Sequence, residues 1–255
     1  MYYKLLRQSE IHYGYQFHDG LNVDPKPWTT KICSAGGFYF CNEEHIWEWA
    51  YLYNNSEDTL GWIRSVELPA DALFQMEPKN KFKANKIILG PRVSVEDFLL
   101  MKPERVKAAL THDGMLLRYV KEQTHDLCLL AIKQNSDSIQ YVREQTIDLC
   151  LIAIEQNANT IRYVKDQLFD LCLRAVTFHG SSLYNVVNQT PELCLAAVKQ
   201  DGTALEYVKH QTYEICLEAI KRDVNAAQFI KDLTPEICET VKKLYGIVIG
   251  NRCDD

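Results

Sequence analysis

Nowhere does the 255-residue chain carry the run of about 18 apolar residues that a membrane-spanning helix needs, so no membrane span is expected. Met1-Tyr2-Tyr3-Lys4 is not followed by an apolar core and a small-residue cleavage site, which argues against a secretory signal. An excess of positive charge is missing as well. The net charge of -6 speaks against a nucleic-acid partner held by phosphate neutralisation. Ser34 lacks a nucleophile-elbow pattern, and no Cys–His pair stands at a meaningful spacing. His12, His18 and His45 with Cys33 or Cys41 match no familiar ligand spacing, so no metal is expected. A hydrophobic fraction of 47% in turn excludes general disorder.

What the chain does have is a register. Cys128, Cys150, Cys172, Cys194, Cys216 and Cys238 stand 22 positions apart, each preceded by Leu or Ile. Ala131, Ala153, Ala175, Ala197, Ala219 and Val241 follow three residues later. A second block keeps step, with Tyr119-Val120, Tyr141-Val142, Tyr163-Val164, Asn185-Val186, Tyr207-Val208 and Phe229-Ile230. Behind it come Gln123, Gln145, Gln167, Gln189 and Gln211. Six full units from Pro103 and a half unit from Pro235 make a tandem array.

Thr190-Pro191-Glu192 and Thr234-Pro235-Glu236 are helix starts, with threonine as N-cap and proline at the first helical position. Gly180 and Gly202 suit C-terminal caps. A shorter helix then carries Ile139 and Val142, or Leu205 and Val208, on one face. Two short antiparallel helices per unit predict an all-α solenoid over residues 103–255. Equivalent cysteines would lie about 9–10 Å apart, beyond the reach of a disulfide. The six are expected to be small, buried, reduced thiols, which favours a reducing, cytoplasmic compartment.

This recurring pattern, as in Leu193-Cys194-Leu195 and then Leu205-Glu206-Tyr207-Val208-Lys209, resembles a functionally uncharacterised family of short tandem helical repeats. Those repeats are common in giant-virus (mimivirus-type) proteins and in some bacterial ones. The resemblance covers about three fifths of the chain and implies a fold rather than an activity.

Residues 1–92 differ in texture and hold all four tryptophans, Trp28, Trp47, Trp49 and Trp62. Ile11 to Asn22 reads as a strand and hairpin, and Gly36 to Cys41 as a short buried strand. Asn42 caps a helix through Ile46, Trp47, Trp49, Ala50 and Tyr53, ending at Asn54 to Ser56. Glu43, Glu44 and Glu48 form its solvated face. Gly61 to Leu68 alternates as a strand stopped by Pro69, and Asp71 to Gln75 is a short turn. Lys79, Lys81, Lys83 and Lys86 mark a solvated loop, and Lys86 to Gly90 a last strand. The whole is a small α+β domain. Residues 93–102, with Ser94 as N-cap, form a capping helix. Leu244 to Gly250 covers the far end, and Asn251 to Asp255 is a frayed tail.

His12 to Asp24 (H-Y-G-Y-Q-F-H-D-G-L-N-V-D) and Gly36 to Phe40 resemble the N-terminal region that precedes ankyrin or other repeats in mimivirus-type proteins. The order of His12, Tyr39 and Asp71 is also similar to small ADP-ribosyltransferases of the rifampin-modifying type. That likeness implies His12 on the adenosine ribose of NAD, Tyr39 at the nicotinamide end, and Asp71 stabilising the oxocarbenium charge. The same residues read more simply as core and turn, which leaves the chain without a cofactor.

In the array, the fourth unit departs from its siblings. Thr177-Phe178-His179-Gly180 replaces Lys-Gln-Asn, Asn185 replaces tyrosine, and Phe178, His179 and Tyr184 offer a docking edge for a partner. The expectation is a non-enzymatic scaffold or adaptor that binds another protein, of the host cell if the viral resemblance holds. The alternative is an NAD-using head aimed by the repeats.

Overall fold

The computed structural model describes residues 1–31, 36–53, 59–232 and 234–246. Cys33, Ser34, Asn54 to Ser56, Ile247 to Gly250 and the tail Asn251 to Asp255 lie outside the described residues. The chain divides into two compact units, Met1–Gln134 and Asn135–Asp255. A β-sheet region thus precedes a helical one.

In the first unit, β1 (Tyr2–Arg7) is central and antiparallel to both neighbours, β5 (Phe38–Asn42) and β6 (Leu60–Glu67). β4 (Gly20–Val23) and β9 (Lys86–Leu89) extend the β6 side, and β8 (Lys81–Ala84) and β7 (Phe74–Glu77) the β5 side. β10 (Val93–Ser94) pairs with β6 as well. β2 (Ile11–His12) and β3 (Tyr15–Gln16) form a separate hairpin. Tyr13 and Gly14 at its tip take φ of 50° and 79°, the left-handed pair whose twist suits two-residue hairpins. Leu6, Phe17, Phe38, Phe40, Val66, Ala84, Ile87 and Leu89 make the core.

The strands at 38–42, 60–67 and 86–89 overlap those read at Gly36 to Cys41, Gly61 to Leu68 and Lys86 to Gly90. The lysine segment is corrected. Lys79 and Asn80 form a left-handed turn, but Lys81–Ala84 is a strand inside the sheet. Lys83 is wholly buried and donates to Thr29 O at 2.8 Å and Lys31 O at 3.0 Å, with Glu77 3.7 Å away. Long aliphatic stems allow lysine to line a pleated face while the head finds carbonyls. The helix after β5, Glu43–Tyr53, is a 3-10 helix. Glu43 is no solvated bystander: Arg105 Nη2 reaches it at 2.6 Å and Lys102 at 3.2 Å.

A buried ionic cluster pins the β2–β3 hairpin to the sheet. Arg64, fully buried on β6, donates to Glu10 Oε1 at 2.9 Å, to Gly90 O at 2.8 Å, and to Asp19. Glu10 also accepts from Arg92 at 2.8 Å. Glu10 is itself buried, so each charge depends on its partner.

Ser94 caps α1 (Val95–Leu100), accepting from Asp97 N as its spacing predicts. α2 (Pro103–His112), a 3-10 helix (Gly114–Tyr119) and α3 (His125–Gln134) complete the unit. Gln134 Oε1 accepts from Gly114 N at 2.6 Å, and Tyr119 Oη donates to Leu60 O at 3.0 Å.

The second unit alternates α-helices with six-residue 3-10 helices: α4 (Ile147–Gln156), α5 (Phe169–Phe178), α6 (Pro191–Gln200), α7 (Tyr213–Arg222) and α8 (Pro235–Tyr245). The short partner in each period is therefore a 3-10 turn, tight enough to fit six residues. Asn135, Asn157, Asp201 and Asp223 cap these turns by accepting from the amide two residues on. Thr190, Thr212 and Thr234 cap α6, α7 and α8. Gly180 and Gly202 are not left-handed caps. They open 3-10 turns against the next helix, where a Cβ at Gly202 would stand 2.5 Å from Ala219 O. Leu244 and Tyr245 finish α8, and Gly246, with φ of 66°, is its left-handed cap.

The recurring glutamines bind successive periods together. Gln189 Nε2 donates to Leu183 O and to Tyr207 O, both at 3.0 Å, and its Oε1 accepts from Lys209 N at 2.9 Å. Gln145, Gln167 and Gln211 repeat the arrangement. Lys165, Lys209 and Lys231 add bonds to carbonyls of the preceding period.

Cys128, Cys150, Cys172, Cys194 and Cys216 are buried and free, as the register predicts. Cys238 departs from that expectation by being disulfide-bonded. The register argument excluded only bonds between members of the series, and the other five remain thiols.

Candidate functional site

Two cavities in the first unit share a wall. The larger, about 450 Å³, is lined by Lys4, His12, Tyr15, Phe17, Asp24 and Tyr39 among others. The smaller, about 260 Å³, has Lys4, His12, Tyr39, Cys41, Trp49 and Lys81 among its lining. His12 and Tyr39 line both cavities. Asp71 lies in the turn before β7, exposed and paired with Lys86, and lines neither cavity.

β1 delivers the residue the sequence reading passed over. Lys4 is almost fully buried, donates to Tyr39 O at 2.8 Å, and has its Nζ 4.7 Å from the Phe17 ring centroid. Burial pushes its ammonium down to about 8, which leaves it charged at neutral pH. Burial, aided by the fields of Lys4 and Arg7, pushes His12 down to about 4, so its imidazole is neutral there. It stacks on Tyr13 with ring centroids 4.4 Å apart. Burial also raises Cys41 to about 12, making it a poor nucleophile. Asp24 is satisfied by main-chain amides, from Lys26 at 2.8 Å and Gly37 at 2.5 Å. Gly37 takes φ of 109°, and a Cβ there would collide with Lys83 at 2.5 Å. A lone lysine on an N-terminal strand carries no motif, so only the fold shows its surroundings.

In the second unit, the fourth period exposes apolar side chains. Tyr184 is 72% exposed and Val187 67%, and Phe178 is also open to solvent. Equivalent positions to Tyr184 hold Arg118, Gln140, Arg162, Glu206 and Gln228; those to Val187 hold Lys121, Arg143, Lys165, Lys209 and Lys231. His179 stands where siblings have a capping Asn or Asp, and it makes no side-chain cap. Phe178 and His179 border a groove of about 450 Å³ with Gln200, Asp201, Gly202 and Arg222. Tyr184 packs edge-on against Tyr207, with centroids 5.6 Å apart. The sequence signals Val187 only as a valine where every sibling is basic.

Residues 190–234 match the family described as a domain of unknown function (DUF4116). That span runs from the N-cap of α6 to the N-cap of α8, two whole periods. The chain is 33% identical over 107 residues to the uncharacterized protein R869 of Acanthamoeba polyphaga mimivirus, covering 38% of this chain and 70% of that protein. It belongs to the same family as that viral protein. The putative ankyrin repeat proteins R896 and R868 of the same virus are each 28% identical to it over 100 and 104 residues. Those matches take in 37% and 38% of this chain but only 28% and 48% of theirs, so the chain spans less than half of each. No solved structure matches the chain. Among the described residues, no helix is long and apolar enough to cross a membrane.

Proposed function

We propose that the protein is a non-enzymatic interaction protein of a giant virus. Its helical periods, from Pro103 onward, stack as a solenoid whose fourth period docks a viral or host protein. The observation that carries this reading is the replacement of polar by apolar or aromatic residues at Phe178, Tyr184 and Val187 within a single period. Aromatic side chains at such positions are the usual anchors of protein interfaces. A solenoid offers a large surface for its length, and three relatives from this virus bear the name ankyrin repeat protein.

The test is a double variant, Tyr184→Arg with Val187→Lys, which installs the residues that sibling periods carry and so spares the fold. Affinity purification with wild-type and variant chains, from cells in which the protein is naturally made, should lose one partner with the variant. Identical recovery of all partners would sink the proposal.

A second reading, an NAD-using head, draws on the presence of His12 and Tyr39 in the lining of one cavity. Asp71 stands apart from that lining, and the carboxylate that is there, Asp24, is held by the main-chain amides of Lys26 and Gly37. Calorimetric titration of the chain with NAD and an assay for NAD hydrolysis decide it; no heat and no hydrolysis leave the interaction reading alone.

A further inference from the structure

The lysines that follow the recurring Tyr-Val pairs turn back onto main-chain oxygens of the preceding period. Lys165 Nζ donates to Val142 O at 3.1 Å and to Arg143 O at 2.8 Å. Lys209 Nζ donates to Val186 O at 3.5 Å and to Val187 O at 2.8 Å, and Lys231 Nζ to Val208 O at 2.6 Å and to Lys209 O at 3.5 Å. The remaining pair in this series, Val164 O and Lys165 O, corresponds to position 187, where the chain has valine. The main chain at 187 keeps the register of its siblings: Val187 N donates to Gln167 Oε1 at 2.9 Å, as Lys165 N and Lys209 N donate to Gln145 and Gln189. The side chain therefore leaves from the equivalent place without an ammonium to offer. None of the described residues donates a hydrogen bond to Val164 O or Lys165 O. The next residue, Asp166, is an exposed carboxylate, and Val187 itself is open to solvent.

We propose that the docked partner is a protein segment that supplies this cation itself. A lysine or arginine of the segment donates to Val164 O and Lys165 O, its aliphatic stem lies over Val187, and an adjacent apolar residue rests against Tyr184. The inference rests on the docking reading of the fourth period and adds the partner's chemistry to it. Two carbonyls converging on one ammonium form a cation site, and Lys165, Lys209 and Lys231 occupy sites of that kind at their own junctions. There the chain's own lysine already holds the oxygens, which directs the partner to the fourth period. The carboxylate of Asp166 favours the same sign of charge. A long basic side chain suits the place because its stem covers apolar surface while its head finds oxygens, and a charged donor makes the stronger hydrogen bond.

The test is selection of short peptides from a random displayed library on the full chain, followed by calorimetric titration of the best peptide in synthetic form. The selected peptides should share a lysine or arginine next to an apolar residue and bind with a Kd below about 100 μM. Replacing that basic residue by norleucine should weaken binding about tenfold or more. Val187→Lys brings the sibling ammonium to the same oxygens and should weaken the parent peptide about as much, whereas Val187→Leu leaves the oxygens open and should keep its affinity. A library that yields no binder, binders without the basic residue, or affinity indifferent to norleucine or to Val187→Lys overturns the proposal. Peptides that lose binding to Tyr184→Arg yet tolerate norleucine remove the cation site and leave the docking reading standing; peptides indifferent to both Tyr184→Arg and Val187→Lys tell against both. Self-association of the wild-type chain in sedimentation, abolished by Val187→Lys, would make the occupant a second copy and overturn the separate partner.

Discussion

Replacing Gln189 by leucine removes three main-chain hydrogen bonds, one donated to Leu183 O in its own period and two across the junction, donated to Tyr207 O and accepted from Lys209 N, besides a weak one from Cys194 Sγ. At about 1 kcal/mol net for each main-chain bond, the variant should lose about 3 kcal/mol. Water reaches this half-buried site and limits the penalty on the orphaned groups, while leucine returns some apolar burial, so about 2–3 kcal/mol is expected. Urea unfolding of the full chain followed by far-ultraviolet circular dichroism reads the effect. All four tryptophans lie within residues 28–62, so their fluorescence reports on the first unit and should keep its midpoint. Gln140→Leu is the control, because Gln140 makes one local bond, to Asp137 O at 2.9 Å. A loss below about 0.5 kcal/mol in Gln189→Leu, or one equal to the control's, would refute the claim that glutamine clasps the periods together.

The depressed Lys4 cation has a pH signature. The unfolded chain holds this proton more tightly, so the first unit is penalised below about pH 8 and gains stability as pH rises from about 8 to the ordinary 10.5. The term is about 3 kcal/mol, and Lys4→Met should lack it; parallel fluorescence-detected urea midpoints for the two proteins across that window would contradict this. Glu10→Gln leaves the buried Arg64 with too little negative charge and should cost about 3–5 kcal/mol by the same assay, and an unchanged midpoint counts against the buried cluster. Burial raises the Cys150 thiol to about 11, so alkylation of its peptide, followed by mass spectrometry at pH 8, should be about two orders of magnitude slower in the native chain than in urea. Equal rates would mean the thiol is open to solvent.

The array was readable because burial repeats with the chain. Cys172, Cys194 and Ala197 stand in register since each meets the same neighbour in every period, and Thr190-Pro191 announces a helix by local chemistry alone. The glutamines were equally visible as letters. Their role was not, since Gln189 acts on a carbonyl 18 residues ahead, and only folding brings the two together. Gly180 and Gly202 misled because a glycine serves close approach as well as left-handed φ. In the head, Lys81 and Lys83 mimicked a solvated loop, while their stems pack on the sheet and their heads meet rings or carbonyls. β1 was overlooked because Tyr2 to Arg7 alternates weakly and lacks a flanking turn on its N-terminal side. His12 and Tyr39 could be paired from the sequence only by resemblance, and Lys4 and Trp49 not at all.

Each glutamine grips main-chain atoms, which are the same whatever side chain they bear; Gln167 holds Asn185 O as it would a tyrosine's. Periods are therefore interchangeable parts. Excising residues 169–190 whole would bring Gln167 to Tyr207 O and Lys209 N, the very atoms Gln189 now holds. A lineage could lengthen or shorten such a protein by block duplication without refitting its joints, and would be left free to vary the outward letters. Leu233 stands in the sequence where the next glutamine would fall, and there the succession stops.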